Sequence, residues 1–445
     1  MSKLKIFLSV ILVSLISILI LFVILIQDSQ NQFTLKIKSK IPKNYRWHLK
    51  AVVNEYLNLT GANFEFISEE KIETSKKMNI KIKEFNNKYL DYQGPRSYIS
   101  ANKDSLYLVS GTGLLFHTKI ENLYSYNENI KLFPIKTNLK KVIEFKDVFK
   151  NSNYGIKGMM INGEEIYLSF SNLVNDNCIN VSVLKGKIHK KKINFSYIFK
   201  PDDCVKRDNE YGEFQPIQSG GALHNFDKNH FLLSTGEFRY RLLAQEDDSM
   251  FGKILKINKN DGDYSIVSKG HRNIQGMYFD NKNKIILSTE HGPKGGDEVN
   301  INKKIDGLTN FGWPISSYGE HYPGMVPVSA YEKAPLHKSH ELYGFQEPIK
   351  YFVPSIGITQ IVNAPFSFGQ FTQNNYFFAS MGYEDRENAL SIHQIVFNDK
   401  FDKILFEDKI KLRERVRDLL FIEDKKSILA YLEKKGSLLL INFND

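Results

Sequence analysis

The sequence predicts an all-β protein: a six-bladed β-propeller with an N-terminal transmembrane helix. Three observations carry that prediction. A strand–turn–strand unit recurs about six times at a spacing of some sixty residues, the signature of propeller blades. Phe and Tyr are abundant, 32 and 23 of 445 residues, and such rings suit half-buried pleated strands. Residues 6–26 carry no charge and are almost wholly apolar, and about twenty such residues are enough to cross a bilayer as a helix.

Taken in order, residues 1–30 read as a membrane anchor. Lys3 and Lys5 precede the apolar run, which ends Leu25-Ile26-Gln27-Asp28 without the small residues of a cleavage site. Positive residues stay inside, so the expectation is a single pass with the bulk of the chain on the extracytoplasmic (periplasmic or extracellular) side, the membrane being one partner. Residues 31–77 read as a linker or small add-on, with helical spacing of apolar residues at 45–57.

The propeller is expected over residues 78–445. Its units open at Ser97, Gly158, Gly221, Gly276, Thr359 and Arg417, and each continues through an Asp/Asn/Lys/Gly turn into a second strand. The chain stops almost directly after Ser437-Leu438-Leu439-Leu440-Ile441. The last blade would then lack an outer strand. Residues 79–83 are predicted to supply it, closing the ring and removing an exposed sheet edge.

The formal net charge is +10, mostly Lys spread along the chain. No element clusters Arg and Lys with interleaved aromatics, which argues against a nucleic-acid partner. The two cysteines, Cys178 and Cys204, form no CxxC pair and cannot hold zinc alone. They either bridge or are two separate thiols. No P-loop, dinucleotide fingerprint or Ser-His-Asp spacing is present.

The densest chemistry lies between residues 272 and 322. It reads Arg272-Asn273-Ile274-Gln275-Gly276, then Glu290-His291-Gly292-Pro293-Lys294-Gly295-Gly296-Asp297-Glu298, then Asn310-Phe311-Gly312-Trp313-Pro314. Ser219-Gly220-Gly221, Ser234-Thr235-Gly236-Glu237 and Arg415-Val416-Arg417-Asp418 accompany it. In this order the stretches resemble the soluble quinoprotein glucose dehydrogenases and their aldose/sorbosone relatives, from about residue 155 to the C-terminus. The resemblance implies a propeller whose top face holds pyrroloquinoline quinone (PQQ) and calcium and oxidises a sugar at its anomeric carbon, with a histidine as base. Carried over, it implies that Arg272, Asn273, Arg415 and Arg417 contact the cofactor. Gly292 and Pro293 would offer backbone carbonyls to calcium.

Arginine forks suit the carboxylates of such a cofactor, and calcium takes oxygen ligands. Read singly, each stretch also has a plainer role. Arg272-Asn273 suits a turn with a surface ion pair, residues 292–298 a tight acidic loop, and Arg415 with Arg417 a solvated strand face.

The family pattern breaks at several places. Gln218 falls where the family has its histidine base, or Ile217 if the alignment shifts by one, and neither an amide nor an alkyl group accepts a proton near neutral pH. Ala222 stands at a family Arg, Gly382 at a cofactor lysine, and Asn153 at a cofactor-contacting Gln. His224, His291, His321, Glu237 and Asp297 are the other conceivable proton acceptors, and none is assigned. Two functions follow. One is a PQQ-dependent sugar (aldose/sorbosone-type) dehydrogenase-like protein, divergent at its base. The other is a non-catalytic extracytoplasmic propeller that binds a carbohydrate or protein partner. The joint survival of Arg272-Asn273 and both late arginines favours the first.

Overall fold

The computed structural model describes residues 14, 40, 57, 59–87, 96–126, 128–151, 153–189, 191–322, 332–365 and 374–443. The described residues form six antiparallel blades. Counted outward, blade 1 is Ser97–Ala101, Ser105–Ser110, Leu115–Lys119 and Ile130–Thr137. Blade 2 is Ile156–Asn162, Glu165–Asn175, Cys178–Lys187 and Phe195–Phe199. Blade 3 is Gly220–Asn225, His230–Thr235, Lys253–Asn258 and Tyr264–Lys269. Blade 4 is Ile274–Asp280, Ile285–Glu290, Asp297–Asn302 and Lys350–Phe352. Blade 5 is Ile358–Asn363, Asn375–Ser380, Ser391–Phe397 and Ile404–Lys411. Blade 6 is Val416–Ile422, Ser427–Leu432, Ser437–Phe443 and, from the other end of the chain, Asn79–Asn86.

The predicted closure is found. Asn79–Asn86 runs antiparallel to the last strand, from Ile80 opposite Phe443 to Asn86 opposite Ser437. The strand Ala62–Glu73 then pairs with both Asn79–Asn86 and Ile130–Thr137, joining the outer edges of blades 6 and 1. The six inner strands touch in cyclic order, blade 1 to 2 and onward to 6 and back to 1. At the last seam, Asp418 Oδ2 accepts the Ile99 N–H at 2.8 Å, tying blade 6 to blade 1.

Each blade is covered on both faces by its neighbours. The middle strands Ile285–Glu290 and Ser391–Phe397 are therefore buried at every position, whereas the outermost Ile404–Lys411 is buried only in part. The core lies in the wedges between blades. Cys178 and Cys204 are disulfide-bonded within blade 2, with Cα atoms 5.4 Å apart and 26 positions apart in sequence. Closing a loop of that size stabilises the fold by about 3 kcal/mol.

The expected transmembrane helix is corrected. Among the described residues no helix is long and apolar enough to cross a membrane. The α-helix Leu139–Val142 has 4 residues, against the roughly twenty that a bilayer requires. Of the apolar run only Ser14 is described; the rest of residues 6–26, like most of the helical reading of 45–57, lies outside the described residues. The observed fold class is all-β. The membrane as partner and the single-pass location rested on that spanning helix and fall with it.

Candidate functional site

In an antiparallel blade, the start of the inner strand lies opposite the end of the second strand. The register shows this with Ile274 opposite Glu290, Gly220 opposite Thr235, Ile358 opposite Ser380, and Val416 opposite Leu432. One face of the ring is therefore built from residues just before each inner strand and just after each second strand. Arg272-Asn273, Arg415, His291-Gly292-Pro293 and Met381-Gly382 all occupy such positions. They converge on one cavity of about 670 Å³.

That cavity is lined by Arg272, Asn273, Gly292, Pro293, Arg415 and Arg417, and also by Gln218. The structure brings together every residue singled out for cofactor or metal. Tight backbone packing shapes the mouth. Gly221, the second residue of blade 3, has φ +110°, and a Cβ there would lie 2.3 Å from Lys157 Cβ. A Cβ on Gly292 would meet the Gly296 oxygen at 2.1 Å.

The arginines are held in distinct ways. Arg272 Nη1 donates to the His291 oxygen at 2.9 Å and to the Gly292 oxygen at 2.7 Å. In the amide orientation that satisfies both neighbours, Gln218 Oε1 accepts from Arg272 Nη2 at 2.9 Å, and Gln218 Nε2 donates to Glu237 Oε1 at 3.2 Å. Asn273 Oδ1 accepts from the Gly220 N–H at 3.1 Å and from Gln275 Nε2 at 3.0 Å. Arg415 and Arg417 share Glu433: Arg415 donates to Oε1 from Nε at 3.2 Å and from Nη2 at 3.1 Å, and Arg417 binds Oε2. Glu433 is 3% exposed and Arg417 6%.

Several members of the mouth were not singled out from sequence. Arg96, Arg386 and Lys294 add three cations to its lining, while the acids there are Asp297 and Glu320. Asp297 is already spent on structure: its Oδ1 takes the Gly292 N–H, and its Oδ2 takes those of Ile356, Gly357 and Ile358. The mouth is therefore strongly electropositive. A signal for Arg96 exists in the repeat, because it precedes inner strand Ser97–Ala101 as Arg415 precedes Val416–Ile422. Glu433 directly follows a second strand in the same way.

Of the three candidate histidines, His291 lines the mouth, and its Nε2 sits 2.6 Å from the Ile358 oxygen. Burial holds this imidazole below its ordinary value. His321 is locked between Arg241 Nη1 at 2.7 Å and the Ala334 oxygen at 2.9 Å. His224 contacts Asn225 and Tyr278, away from the mouth, and burial lowers it to about 4.

Two buried acids lie near the site. Burial pushes Glu237 up to about 7, against the pull of Arg272, and pushes Asp418 to about 7 although the Ile99 amide opposes it. Each binds its proton more tightly folded than unfolded. Their stabilising contribution is therefore complete below about pH 4 and is lost as pH rises through about 7. For Glu237 the lift from 4.5 to about 7 corresponds to about 3 kcal/mol. We expect the melting temperature to fall between about pH 5 and 8 and the fall to be shallower in Glu237→Gln. Calorimetry across that range checks this, and an equal slope in both proteins contradicts it.

The sequence profile described as Glucose / Sorbosone dehydrogenase matches residues 126–440. Aldose sugar dehydrogenase YliI of Escherichia coli is 27% identical over 210 residues, covering 44% of this chain and 52% of that one. The chain thus spans about half the length of that curated relative. Among solved structures, the apo form of the soluble aldose sugar dehydrogenase from Escherichia coli superposes with a TM-score of 0.60 at 20% identity, over 85% of this chain and 99% of that one. The PQQ-bound aldose sugar dehydrogenase of Streptomyces coelicolor superposes with a TM-score of 0.52 at 14% identity, over 79% and 99%. These two likenesses bear on the fold. The profile match spans most of the propeller, including the motifs and every lining residue of the mouth except Arg96, and the chain belongs to the glucose/sorbosone dehydrogenase family.

Proposed function

We propose that this chain is a PQQ- and calcium-dependent sugar dehydrogenase-like protein, of aldose/sorbosone type, in which Gln218 holds the family's base position. One observation carries the reading: Arg272, Asn273, Arg415 and Arg417 meet the Gly292 carbonyl in a single electropositive cavity. A cofactor with several carboxylates fits that charge balance. The Gly292 oxygen already accepts a cationic donor, which fits a place for a metal ion. Among the described residues no group of three His, Cys, Asp or Glu could hold a metal, so the ligands would be backbone oxygens and the cofactor itself.

When bound, the quinone supplies a hydride acceptor and calcium a Lewis acid beside it. The chain's own residues bind and orient. Arg415 and Arg417 stand side by side on Glu433, a fixed pair of forks for a planar anion. Asn273, with its oxygen engaged twice, presents Nδ2, which has no partner among the described residues. Gln218 accepts a hydrogen bond from Arg272 but cannot take the sugar's hydroxyl proton.

That last feature, with the missing side chain at Gly382 in the same cavity, favours a second reading: a non-catalytic propeller that binds a carbohydrate or protein partner. Titration with PQQ plus calcium, followed by absorbance, separates the two. A saturable complex is expected. No complex at high micromolar cofactor would remove the dehydrogenase reading and leave the second.

A further inference from the structure

We propose that Arg272 and a divalent cation compete for the same backbone oxygen, that of Gly292, so that metal binding releases Arg272 toward Gln218 and Glu237. This rests on the metal role given to Gly292 above.

The geometry is specific. A single guanidinium nitrogen bridges two consecutive carbonyls, at 2.9 Å from His291 and 2.7 Å from Gly292. A calcium–oxygen bond is about 2.3–2.6 Å long. An ion on the Gly292 oxygen would therefore lie close to Nη1, and the two positive charges would repel strongly in a site where Arg272 is only 6% exposed. The carbonyl has two lone pairs, but an ion on one of them repels the guanidinium on the other and weakens its hold on that oxygen.

Arg272 has somewhere else to go. Its Nη2 already contacts Gln218 Oε1 at 2.9 Å, and Gln218 leads to Glu237 Oε1 at 3.2 Å. Glu237 is fully buried, and among the described residues its other oxygen takes only the Arg239 backbone N–H. It is a carboxyl one side chain away from a cation that is losing its carbonyl partners. The Trp313 ring, 5.5 Å from the Arg272 guanidinium carbon, provides a face for the same movement. On this view Arg272 keeps the carbonyl pair in place until the ion takes it, and is then turned toward the position of Gln218.

The test uses the full chain stripped of metal with a chelator, with calcium alone titrated calorimetrically and no quinone present. Arg272→Met is expected to bind calcium about tenfold or more tightly than the natural chain. Arg386→Met is the control. It removes one charge from the same cavity, but its guanidinium donates to the Ser355 oxygen and not to the His291 or Gly292 carbonyls. Its gain is expected to stay within about threefold.

Equal or weaker binding by Arg272→Met, with the natural chain binding normally, overturns the proposal. So does an equal gain in both variants, which would reduce the effect to net charge. If neither the natural chain nor Arg272→Met binds millimolar calcium, first alone and then with PQQ added, the metal role of Gly292 fails and this inference fails with it. Should Arg272→Met not fold, a crystal structure of the natural chain soaked in calcium decides. Arg272 Nη1 is expected to be out of hydrogen-bonding distance of the Gly292 oxygen, and its retention there beside a bound ion overturns the proposal.

Discussion

Gln218→His is expected to raise aldose-dependent dye reduction, in the presence of PQQ and calcium, by about 10²–10⁴-fold, the usual contribution of a positioned general base. The surroundings are already those an imidazole needs. Gln218 lines the mouth while being only 7% exposed, so its side chain is held rather than free. Its amide nitrogen donates to Glu237 Oε1. A histidine reaching the same neighbour would donate one ring N–H to that carboxylate, which would set the tautomer and leave the other nitrogen as acceptor. Adding Glu237→Gln to Gln218→His should then forfeit about tenfold or more of the gain, because the orienting charge is gone. If the single variant binds PQQ as the natural chain does yet gains nothing, position 218 is not where the base belongs.

Glu433→Ala is expected to cost about 3–5 kcal/mol of stability, read from the shift in the urea-unfolding midpoint at unchanged slope. Glu433 is 3% exposed and is the shared acceptor of Arg415 and Arg417. Removing it strands the Arg417 guanidinium, itself 6% exposed, without its ion-pair partner, and the cost is that of a buried ion left largely uncompensated. Arg415 is less enclosed, at 36% side-chain exposure, and recovers water when released. Arg415→Ala should therefore cost well under half as much. A loss below about 1 kcal/mol for Glu433→Ala would mean that solvent reaches the pair and that it behaves as a surface ion pair.

Much of the fold was legible locally. The strand–turn–strand repeat, the six openings from Ser97 to Arg417, and the use of residues 79–83 to complete the last blade are statements about strand alternation, turn residues and chain ends. The first two are decided by neighbours a few positions apart, whereas the third pairs opposite ends of the propeller, Ile80 with Phe443. The identity of the mouth residues was legible for the same reason: Arg272-Asn273, Gly292-Pro293 and Arg415-Val416-Arg417 are contiguous motifs. The transmembrane reading finds no counterpart among the described residues, where no helix is long and apolar enough to cross a membrane.

From its own letters the chain determined which segments pair as strands and which motifs belong at blade tops. Only the closed ring decided that Arg96, Arg386 and Glu433 join those motifs, that Arg272 reaches the Gly292 oxygen, and that Glu237 lies sealed behind Gln218. The physical reason is range. A strand is specified by side chains two residues apart, whereas burial, ion pairing and a displaced pKa depend on which water is excluded when segments tens to hundreds of residues apart are brought within a few ångströms.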